Sequence, residues 1–128
     1  MRRKDKEITD MAEIEEIIEK ADVCRLAMAT GEIPYVIPMS FGYDGGVLYF
    51  HSAKDGRKID ILRQNPKVCF EFDIDTSVVE GETACKFGVA YRSVIGFGEA
   101  VFLESHDSKG KALEIITRHY TEISLEIE

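Results

Sequence analysis

The segment Asp44-Gly45-Gly46 restricts the fold of this chain more than any other, because it stands between two runs of strand-forming residues. Glycines at such a position favour the tight turn of a β-hairpin, since glycine adopts the positive φ angles that these turns need. The runs on either side are residues 35–43 and 47–52, and each has the composition of a β-strand. The first half of the chain is therefore predicted to contain a β-hairpin and, with it, antiparallel strands.

Three segments have the apolar spacing and the end signals of α-helices. The pair Asp10 and Glu13 resembles a capping box, and apolar residues then recur at helical spacing. The predicted helices run from Asp10 to Ala21, from the Asp55-Gly56 turn to Asn65-Pro66, and from Ser108 to Tyr120, the last with Leu113, Ile115 and Ile116 on its buried side.

The β-type segments outnumber the predicted helices. Residues 75–83 are polar and are predicted to form a loop. Three glycines interrupt the segment 87–103, which is therefore predicted to bend, to bulge or to split into two strands. Since the strands do not alternate regularly with helices, the order favours a small closed or half-closed β-barrel over a doubly wound α/β sheet. The β-type segments are residues 23–30, 35–43, 47–52, 68–74, 87–103 and 123–127.

Length and composition describe one ordinary globular domain. The 128 residues are 45% hydrophobic and 31% charged, and a chain of this size buries a substantial core. We therefore predict a single domain over residues 1–128. The net charge of -8 argues against a nucleic-acid binder, because such a protein needs a basic face to contact phosphates.

The targeting and redox features of the chain favour the cytoplasm. No apolar run approaches the ~20 residues needed to span a bilayer. The basic N-terminus has no apolar stretch behind it, so a secretory signal is not predicted. The three cysteines are odd in number and scattered, without a C-x-x-C pair. This pattern predicts reduced thiols and neither a disulfide framework nor a metal site.

Arg57 and Lys58 stand in the first turn of the second predicted helix, where cations are disfavoured. The N-terminus of a helix is the positive end of the peptide dipole, so a cation there costs up to ~1 kcal/mol. A phosphate monoester at this turn would contact free N–H groups and both basic side chains, with Ser52 as a further hydroxyl donor. In the alternative interpretation, Lys54, Arg57 and Lys58 form a solvated basic turn that pairs loosely with nearby carboxylates.

A proline and an arginine are each unusual inside a predicted strand. Pro38 removes one hydrogen-bond donor, so residues 36–41 are predicted to form an edge strand or to bulge. A bulge would leave backbone groups free for a ligand, whereas an edge strand can carry proline as protection against aggregation. Arg92 either points outward or, if it is buried, needs an anion or a carboxylate as its partner. The alternatives stay open at both positions.

His51, at the end of a predicted strand, has no catalytic partner that the spacing identifies. With His106 and His119 it completes the three histidines of the chain, and their spacing is not that of metal ligands. No Ser-His-Asp order, phosphate-binding glycine loop or pair of carboxylates stands out. From the residues alone, the chain is predicted to be a small β-barrel with a phosphate-bearing ligand.

Five segments, taken together and in order, resemble a known protein family. They are similar to the flavin-binding split-barrel proteins related to pyridoxamine 5'-phosphate oxidase, and in particular to the nitroimidazole-resistance (Nim) branch. The resemblance covers residues 1–120. The segments are M-R-R-K-D-K-E-I-T-D at the start, P-Y-V-I-P-M-S-F-G-Y from Pro34, Y-F-H-S-A-K-D-G-R-K from Tyr49, N-P-x-V-C-F from Asn65, and Y-R-S-V-I-G-F-G from Tyr91.

The resemblance implies a mainly β fold, namely a split β-barrel with a few short flanking helices. It also implies a homodimer that holds FMN at the subunit interface. Gly56-Arg57-Lys58 is similar to the S-R-K segment with which the oxidases bind the FMN phosphate, and the strand segment from Ile37 would lie along the isoalloxazine ring. The implied cofactor-binding residues are Ile37, Pro38, Met39, Ser40, Phe41, His51, Ser52, Ala53, Arg57 and Lys58, with Arg92 and Ser93 reaching the cofactor from the partner subunit.

By the same resemblance, the chain is an FMN-dependent oxidoreductase. It would take electrons from a small reduced donor and pass them to a nitroaromatic or quinone-like acceptor. His51 would lie near the reactive face of the flavin and donate a proton to the reduced substrate. The alternatives are a non-catalytic flavin-binding or flavin-sensing protein, and a split barrel that binds haem or a deazaflavin.

Two departures from the family bear on the substrate and on the end of the barrel. No segment after Tyr120 resembles the arginine-containing C-terminal segment with which the oxidases bind the substrate phosphate, which argues against oxidation of vitamin B6. Only Thr121 and Glu122 separate the third predicted helix from the last predicted strand, which is a shorter connection than Nim-type chains usually have. The barrel is therefore predicted to differ at that edge.

Overall fold

The computed structural model describes residues 10–53, 55–83, 86 and 88–121. In these ranges the chain forms three helices and six strands, so the predicted mainly β class with a few short helices is confirmed. The strand predicted at 123–127 lies outside the described residues. The elements are α1 (Met11–Lys20), β1 (Cys24–Thr30), β2 (Ile33–Met39), β3 (Phe41–Asp44), β4 (Val47–Phe50), α2 (Arg57–Gln64), β5 (Lys67–Val79), β6 (Gly88–Glu99) and α3 (His106–Tyr120).

The strands form two sheets. One has four strands in the order β2-β1-β5-β6, and the other consists of β3 and β4. β1 pairs antiparallel with β2 and with β5, and β3 pairs antiparallel with β4. The larger sheet has β2 and β6 as its edges within the described residues, and it does not close into a ring. Of the closed and half-closed alternatives, the closed one is therefore wrong for this part of the chain.

The hairpin predicted at Asp44-Gly45-Gly46 forms, and the β1–β2 turn also uses a glycine. Asp44 pairs with Val47 across Gly45 and Gly46, whose φ angles are +58° and +82°. The turn between β1 and β2 contains Gly31 at φ +57°. These φ values lie in the left-handed region, which glycine adopts without the steric cost that a Cβ atom brings. Turn chemistry alone was therefore enough to locate the β3–β4 hairpin.

The strand predicted at 35–43 is in fact two strands. The chain leaves the four-stranded sheet at Ser40 and continues in the two-stranded sheet as β3. Four strands therefore precede α2, where the sequence predicted three. Ser40 brings neither the fixed φ of proline nor the freedom of glycine, so its own residue type does not explain the break.

The second half of the sheet also differs from the prediction. β5 continues to Val79, so the loop predicted at 75–83 is wrong for residues 75–79. These five residues are exposed, and pairing with the neighbouring strand, not burial of an apolar face, accounts for their extended form. The glycine-containing segment at 87–103 forms a single strand, β6, which ends at Glu99.

Side-chain caps begin two of the three described helices. The Asp10 carboxylate accepts a hydrogen bond from the Ala12 N–H (3.0 Å), and the Ser105 hydroxyl oxygen accepts one from the Ser108 N–H (3.1 Å). Each bond satisfies one of the N–H groups that a helix leaves without an internal partner. α2 begins after Gly56, which has no side chain to serve as a cap.

The chain divides into two compact units, each with its own buried side chains. The units are Met1–Ala21 with Phe72–Val94, and Asp22–Glu71 with Ile95–Glu128. In the first unit, Ile17 and Phe72 are fully buried. The second unit contains a hydrophobic cluster formed by β1, β2 and α2, which we call the central cluster: Leu26, Met28, Met39, Ile61 and Leu62. The single domain over residues 1–128 stays a prediction.

Two of the three predicted reduced cysteines can be located. Cys24 and Cys69 are free thiols, and Cys85 lies outside the described residues. Cys24 on β1 is fully buried, and this burial raises the pKa of its thiol to about 12. A thiol that stays protonated is a poor nucleophile, so Cys24 belongs to the core and is not a candidate site. Among the described helices, none has the length and apolar character that a membrane span requires.

Candidate functional site

The N-terminus of α2 presents backbone N–H groups that the helix itself does not use. The first hydrogen bond of the helix runs from the Asp60 N–H to the Gly56 carbonyl (3.1 Å), so the N–H groups of residues 57–59 have no acceptor inside the helix. Gly56 adopts a φ of +136°, and a Cβ atom built there would meet nothing within 4 Å. The helix therefore starts at a glycine with open space around its Cβ position, and no described side chain caps it.

Arg57 and Lys58 add two positive charges to this helix end. Neither forms an ion pair with a carboxylate of the described residues. The guanidinium group of Arg57 instead lies over the ring of Tyr35 on β2, 5.4 Å from its centre. The alternative interpretation, in which these side chains pair with nearby carboxylates, finds no support in the part of the chain that the structure describes. Lys54 lies outside that part.

Within the described residues β2 is an edge strand, which is one of the two outcomes that Pro38 predicted. Its register with β1 is regular, and Pro38 pairs with Arg25 without a bulge. Pro38 is exposed, whereas Ile37 is half-buried and Met39 is buried in the central cluster. The predicted ring-binding segment therefore has one face in the core and the other open.

Ser40 and Phe41 mark the point where β2 passes into β3. Ser40 is exposed, whereas the side chain of Phe41 has an exposed fraction of 0%. The backbone N–H of Phe41 donates a hydrogen bond to the Tyr120 hydroxyl oxygen (3.1 Å). Phe41 thus serves this region as a buried anchor.

His51, Ser52 and Ala53 follow directly after β4. Phe50, the last residue of β4, packs against the central cluster and so fixes where this segment begins. His51 and Ala53 are exposed, and Ser52 is half-buried. The Ser52 hydroxyl donates to the Ala53 carbonyl (3.1 Å), so in this structure its proton is used locally. The segment leads from the central cluster towards the start of α2.

Arg92 on β6 is held by carboxylates of its own unit. Its guanidinium group contacts Glu13 at 3.0 Å, Asp75 at 3.5 Å and Glu16 at 3.8 Å. Of the alternatives left open by the sequence, a carboxylate partner is therefore what the structure shows. The neighbouring Ser93 is half-buried. The contact of both residues with a cofactor stays a prediction.

Two tyrosines beside the site were missed by sequence analysis. Tyr35 carries the ring under Arg57, and its place on the inner face of β2 could have been inferred from its alternation with Ile37 and Met39. Tyr120 contacts the backbone of residues 79 and 98 positions away, for which no local signal exists. Within the described residues, no group of three or more His, Cys, Asp or Glu side chains is arranged to hold a metal ion.

The fold and sequence of the chain match a solved structure closely. A proposed 5-nitroimidazole antibiotic resistance protein from Bacteroides thetaiotaomicron is 38% identical, with a TM-score of 0.82. The alignment covers 93% of this chain and 71% of that one. An FAD-binding protein from Mesorhizobium loti is 27% identical with a TM-score of 0.62, and the alignment covers 87% of this chain and 77% of that one.

Two further comparisons concern the sequence alone. An uncharacterised protein of Rhizobium meliloti (strain 1021) is 36% identical over 59 residues, which are 46% of this chain and 38% of that protein. The chain therefore spans less than half of that relative. The profile of the family described as Pyridoxamine 5'-phosphate oxidase matches residues 10–127 and so covers most of the sequence. The resemblance and the split-barrel fold expected from the motifs are confirmed, and the chain belongs to the pyridoxamine 5'-phosphate oxidase family.

Proposed function

We propose that this protein binds FMN and acts as an FMN-dependent oxidoreductase on nitroaromatic or quinone-like acceptors. The observation that carries the proposal is the N-terminus of α2, where Arg57 and Lys58 stand beside unused N–H groups and have no ion-pair partner among the described residues. The similarity to a proposed 5-nitroimidazole resistance protein supports the acceptor class, and the similarity to an FAD-binding protein supports a flavin.

The helix end suits the phosphate monoester of FMN. Such a group carries nearly two negative charges near neutral pH, and it accepts several hydrogen bonds at once. The N–H groups of residues 57–59 and the helix dipole favour an anion at this position, and the two cations add charge-assisted hydrogen bonds. The same end of α2 would otherwise carry two cations against an unfavourable dipole. A bound phosphate would remove this conflict.

The edge strand β2 suits the flavin ring. Arg57 lies over Tyr35, so the basic helix end is adjacent to the strand that contains Ile37, Pro38 and Met39. An edge strand has backbone groups that no second strand pairs with, and these can bond the polar rim of a ring. His51, Ser52 and Ala53 would continue the contact from the end of β4.

FMN, when bound, supplies the electron transfer, and the side chains of the chain supply binding, orientation and protons. In this proposal Arg57 and Lys58 hold the phosphate, and the segment from Ile37 to Phe41 orients the ring. His51, which is exposed at the end of β4, holds the proton that the reduced acceptor takes up. The two free cysteines are compatible with the reducing conditions of the cytoplasm, where we place the protein.

The absorption spectrum of the purified protein, before and after addition of FMN and desalting, tests the proposal. A retained yellow flavin band supports it, and a colourless protein that retains no FMN contradicts it. A haem band would favour the haem-binding alternative. Flavin that is bound but never reduced by a nicotinamide donor, and never reoxidised by a nitroaromatic acceptor, would favour the non-catalytic alternative.

Replacement of His51 by alanine is expected to lower turnover at saturating FMN by about a hundredfold, because general acids commonly contribute at least this factor. His106→Ala is the matched control, since His106 is also exposed but lies at the start of α3. Steady-state oxidation of the nicotinamide donor with a nitroaromatic acceptor gives both rates. Equal turnover in the His51 variant and the wild type would rule out the proton-donor role.

We also propose that the protein is a homodimer with FMN at its interface. The stretch around the end of β6 exposes large apolar side chains, with exposed fractions of 64% for Ile95, 82% for Phe97 and 80% for Val101. Large exposed apolar patches are uncommon on monomers and usually mark interaction sites. A second copy of the chain would bury this stretch.

Phe97→Asp is therefore expected to convert the dimer into a monomer. Light scattering on the wild type should give twice the 14.4 kDa of one chain, and the variant should give the single mass. Val47→Asp, which places the same charge on another exposed apolar residue in the β3–β4 hairpin, should leave the mass unchanged. A monomeric wild type that binds FMN tightly would contradict the dimer.

A further inference from the structure

The contact between Arg57 and Tyr35 follows from the way in which α2 packs on the sheet. Ile61 of α2 is buried in the central cluster. Residues four positions apart share a helix face, so Arg57, one turn before Ile61, is also directed at the sheet. Tyr35 on β2 is half-buried and packs against the same cluster, and its strand partner Met28 is a member of it. Core packing therefore brings the ring and the guanidinium group together, 5.4 Å from ring centre to central carbon.

An aromatic ring differs from a carboxylate as a partner for an arginine. The ring attracts the cation through its quadrupole but carries no net charge. Arg57 therefore keeps its positive charge, and it forms no ion pair with a carboxylate of the described residues. The planar guanidinium group has five N–H donors in fixed directions, which suit a bidentate contact with phosphate. Tyr35 thus restrains Arg57 without competing for an anion.

We propose that Tyr35 is a positioning residue, which holds the guanidinium group of Arg57 ready for the phosphate of the flavin; this inference rests on the proposed function. A free arginine side chain samples many rotamers, and ordering it when a ligand binds lowers the affinity. The ring contact orders the side chain before the ligand arrives, so less of this cost remains. Tyr35 then acts on FMN affinity through Arg57 and makes no phosphate contact of its own.

Tyr35→Leu tests this role, because it removes the ring and keeps an apolar side chain against the central cluster. We expect the dissociation constant of FMN to rise roughly fourfold, which is the size of effect typical of an exposed cation–π contact. Riboflavin lacks the phosphate, so its dissociation constant should not change. Tyr35→Phe keeps the ring and should bind both ligands as the wild type does. Quenching of flavin fluorescence during titration gives the four constants.

A comparison of two backgrounds shows whether the effect passes through Arg57. When Arg57 is already alanine, adding Tyr35→Leu should change FMN affinity by less than about twofold, because the ring has no cation left to hold. Lys58→Ala is the matched control, since it removes the neighbouring charge and leaves the ring contact intact. In that background the roughly fourfold loss should remain. Equal losses in both backgrounds would overturn the inference.

The side-chain proton resonances of Arg57, measured without flavin, check the contact itself. A proton over an aromatic ring is shifted upfield by the ring current. We expect this shift in the wild type and in Tyr35→Phe, and its loss in Tyr35→Leu. Wild-type resonances at the positions of a free arginine side chain would overturn the inference, even if Tyr35→Leu did not fold.

The outcomes separate this inference from the proposed function. If Arg57→Ala weakens FMN binding and Tyr35→Leu does not, the positioning role is overturned while the proposed function stands. The role is also overturned if Tyr35→Leu weakens FMN and riboflavin equally, or if Tyr35→Phe weakens FMN as much as Tyr35→Leu does. If the wild type binds neither FMN nor riboflavin, both the role and the proposed function are overturned.

Discussion

Replacement of Arg57 and Lys58 together by alanine is expected to raise the dissociation constant of FMN by about a hundredfold. Hydrogen bonds to charged groups contribute about 1.5–3 kcal/mol each. Arg57 is exposed and Lys58 half-buried, so the lower end of that range applies. The pair then contributes about 3 kcal/mol, which is a factor on the order of 10² in affinity. Quenching of flavin fluorescence during titration measures the change.

Two controls show whether the effect belongs to the phosphate. Riboflavin lacks the phosphate, so it should bind the double variant and the wild type equally. Arg63→Ala/Lys67→Ala removes the same number of positive charges, but Arg63 is in the last turn of α2 and Lys67 begins β5. This second double variant should bind FMN within about twofold of the wild type, because exposed charges at a distance are screened by salt.

Either of two results would contradict the phosphate site. Equal loss of FMN affinity in both double variants would mean that general attraction between the ligand and positive charge, and not a defined site, explains binding. Unchanged FMN affinity in Arg57→Ala/Lys58→Ala would place the phosphate elsewhere. It would also favour the alternative interpretation, in which Arg57 and Lys58 form a solvated basic turn.

Gly42→Ala is expected to lower the free energy of unfolding by about 3 kcal/mol, which for a chain of this size corresponds to a fall in melting temperature on the order of 10 °C. A Cβ atom at Gly42 would lie 2.7 Å from the backbone nitrogen of Ile116 and 2.8 Å from the carbonyl carbon and oxygen of Ile115. These are backbone atoms of α3, so they cannot move aside as the end of a flexible side chain would. The helix would have to separate from β3.

Gly88→Ala is the matched control, since a Cβ atom there would meet nothing within 4 Å. Thermal unfolding followed by circular dichroism should place this control within about 2 °C of the wild type, because no contact is strained and alanine reduces the freedom of the unfolded chain. If Gly42→Ala also melted within that margin, the close approach of α3 to β3 would be contradicted. The placement of Tyr120 beside Phe41 would then be in question as well, because both belong to the same pair of elements.

Much of the secondary structure, and the basic part of the candidate site, could be predicted from local signals. Asp10 caps α1 through a hydrogen bond to a residue two positions away, and Gly45 and Gly46 close the β3–β4 turn. The limits of α2 followed in the same way from its glycine start and its Asn65-Pro66 end. Once those limits are known, Arg57 and Lys58 must stand at the positive end of the helix.

Other features could not be predicted, because they depend on segments far apart in the chain. The break at Ser40 coincides with the bond from Phe41 to Tyr120, and these two residues are 79 positions apart. Residues 75–79 are polar or exposed and still form a strand, since a neighbouring strand pairs with them. The ionic partners of Arg92 include Glu13, which is also 79 positions away.

The difference between the features that could be predicted and those that could not has a physical cause. Turns, caps and helix limits are set by interactions among residues a few positions apart, so the order of the residues contains the information that determines them. The choice of sheet for a strand and of partner for a charged or hydroxyl side chain depends on which distant groups the fold brings to about 3 Å. In this protein, interactions among neighbouring residues locate the basic end of α2. Interactions between distant segments bring Tyr120 to the β2–β3 junction.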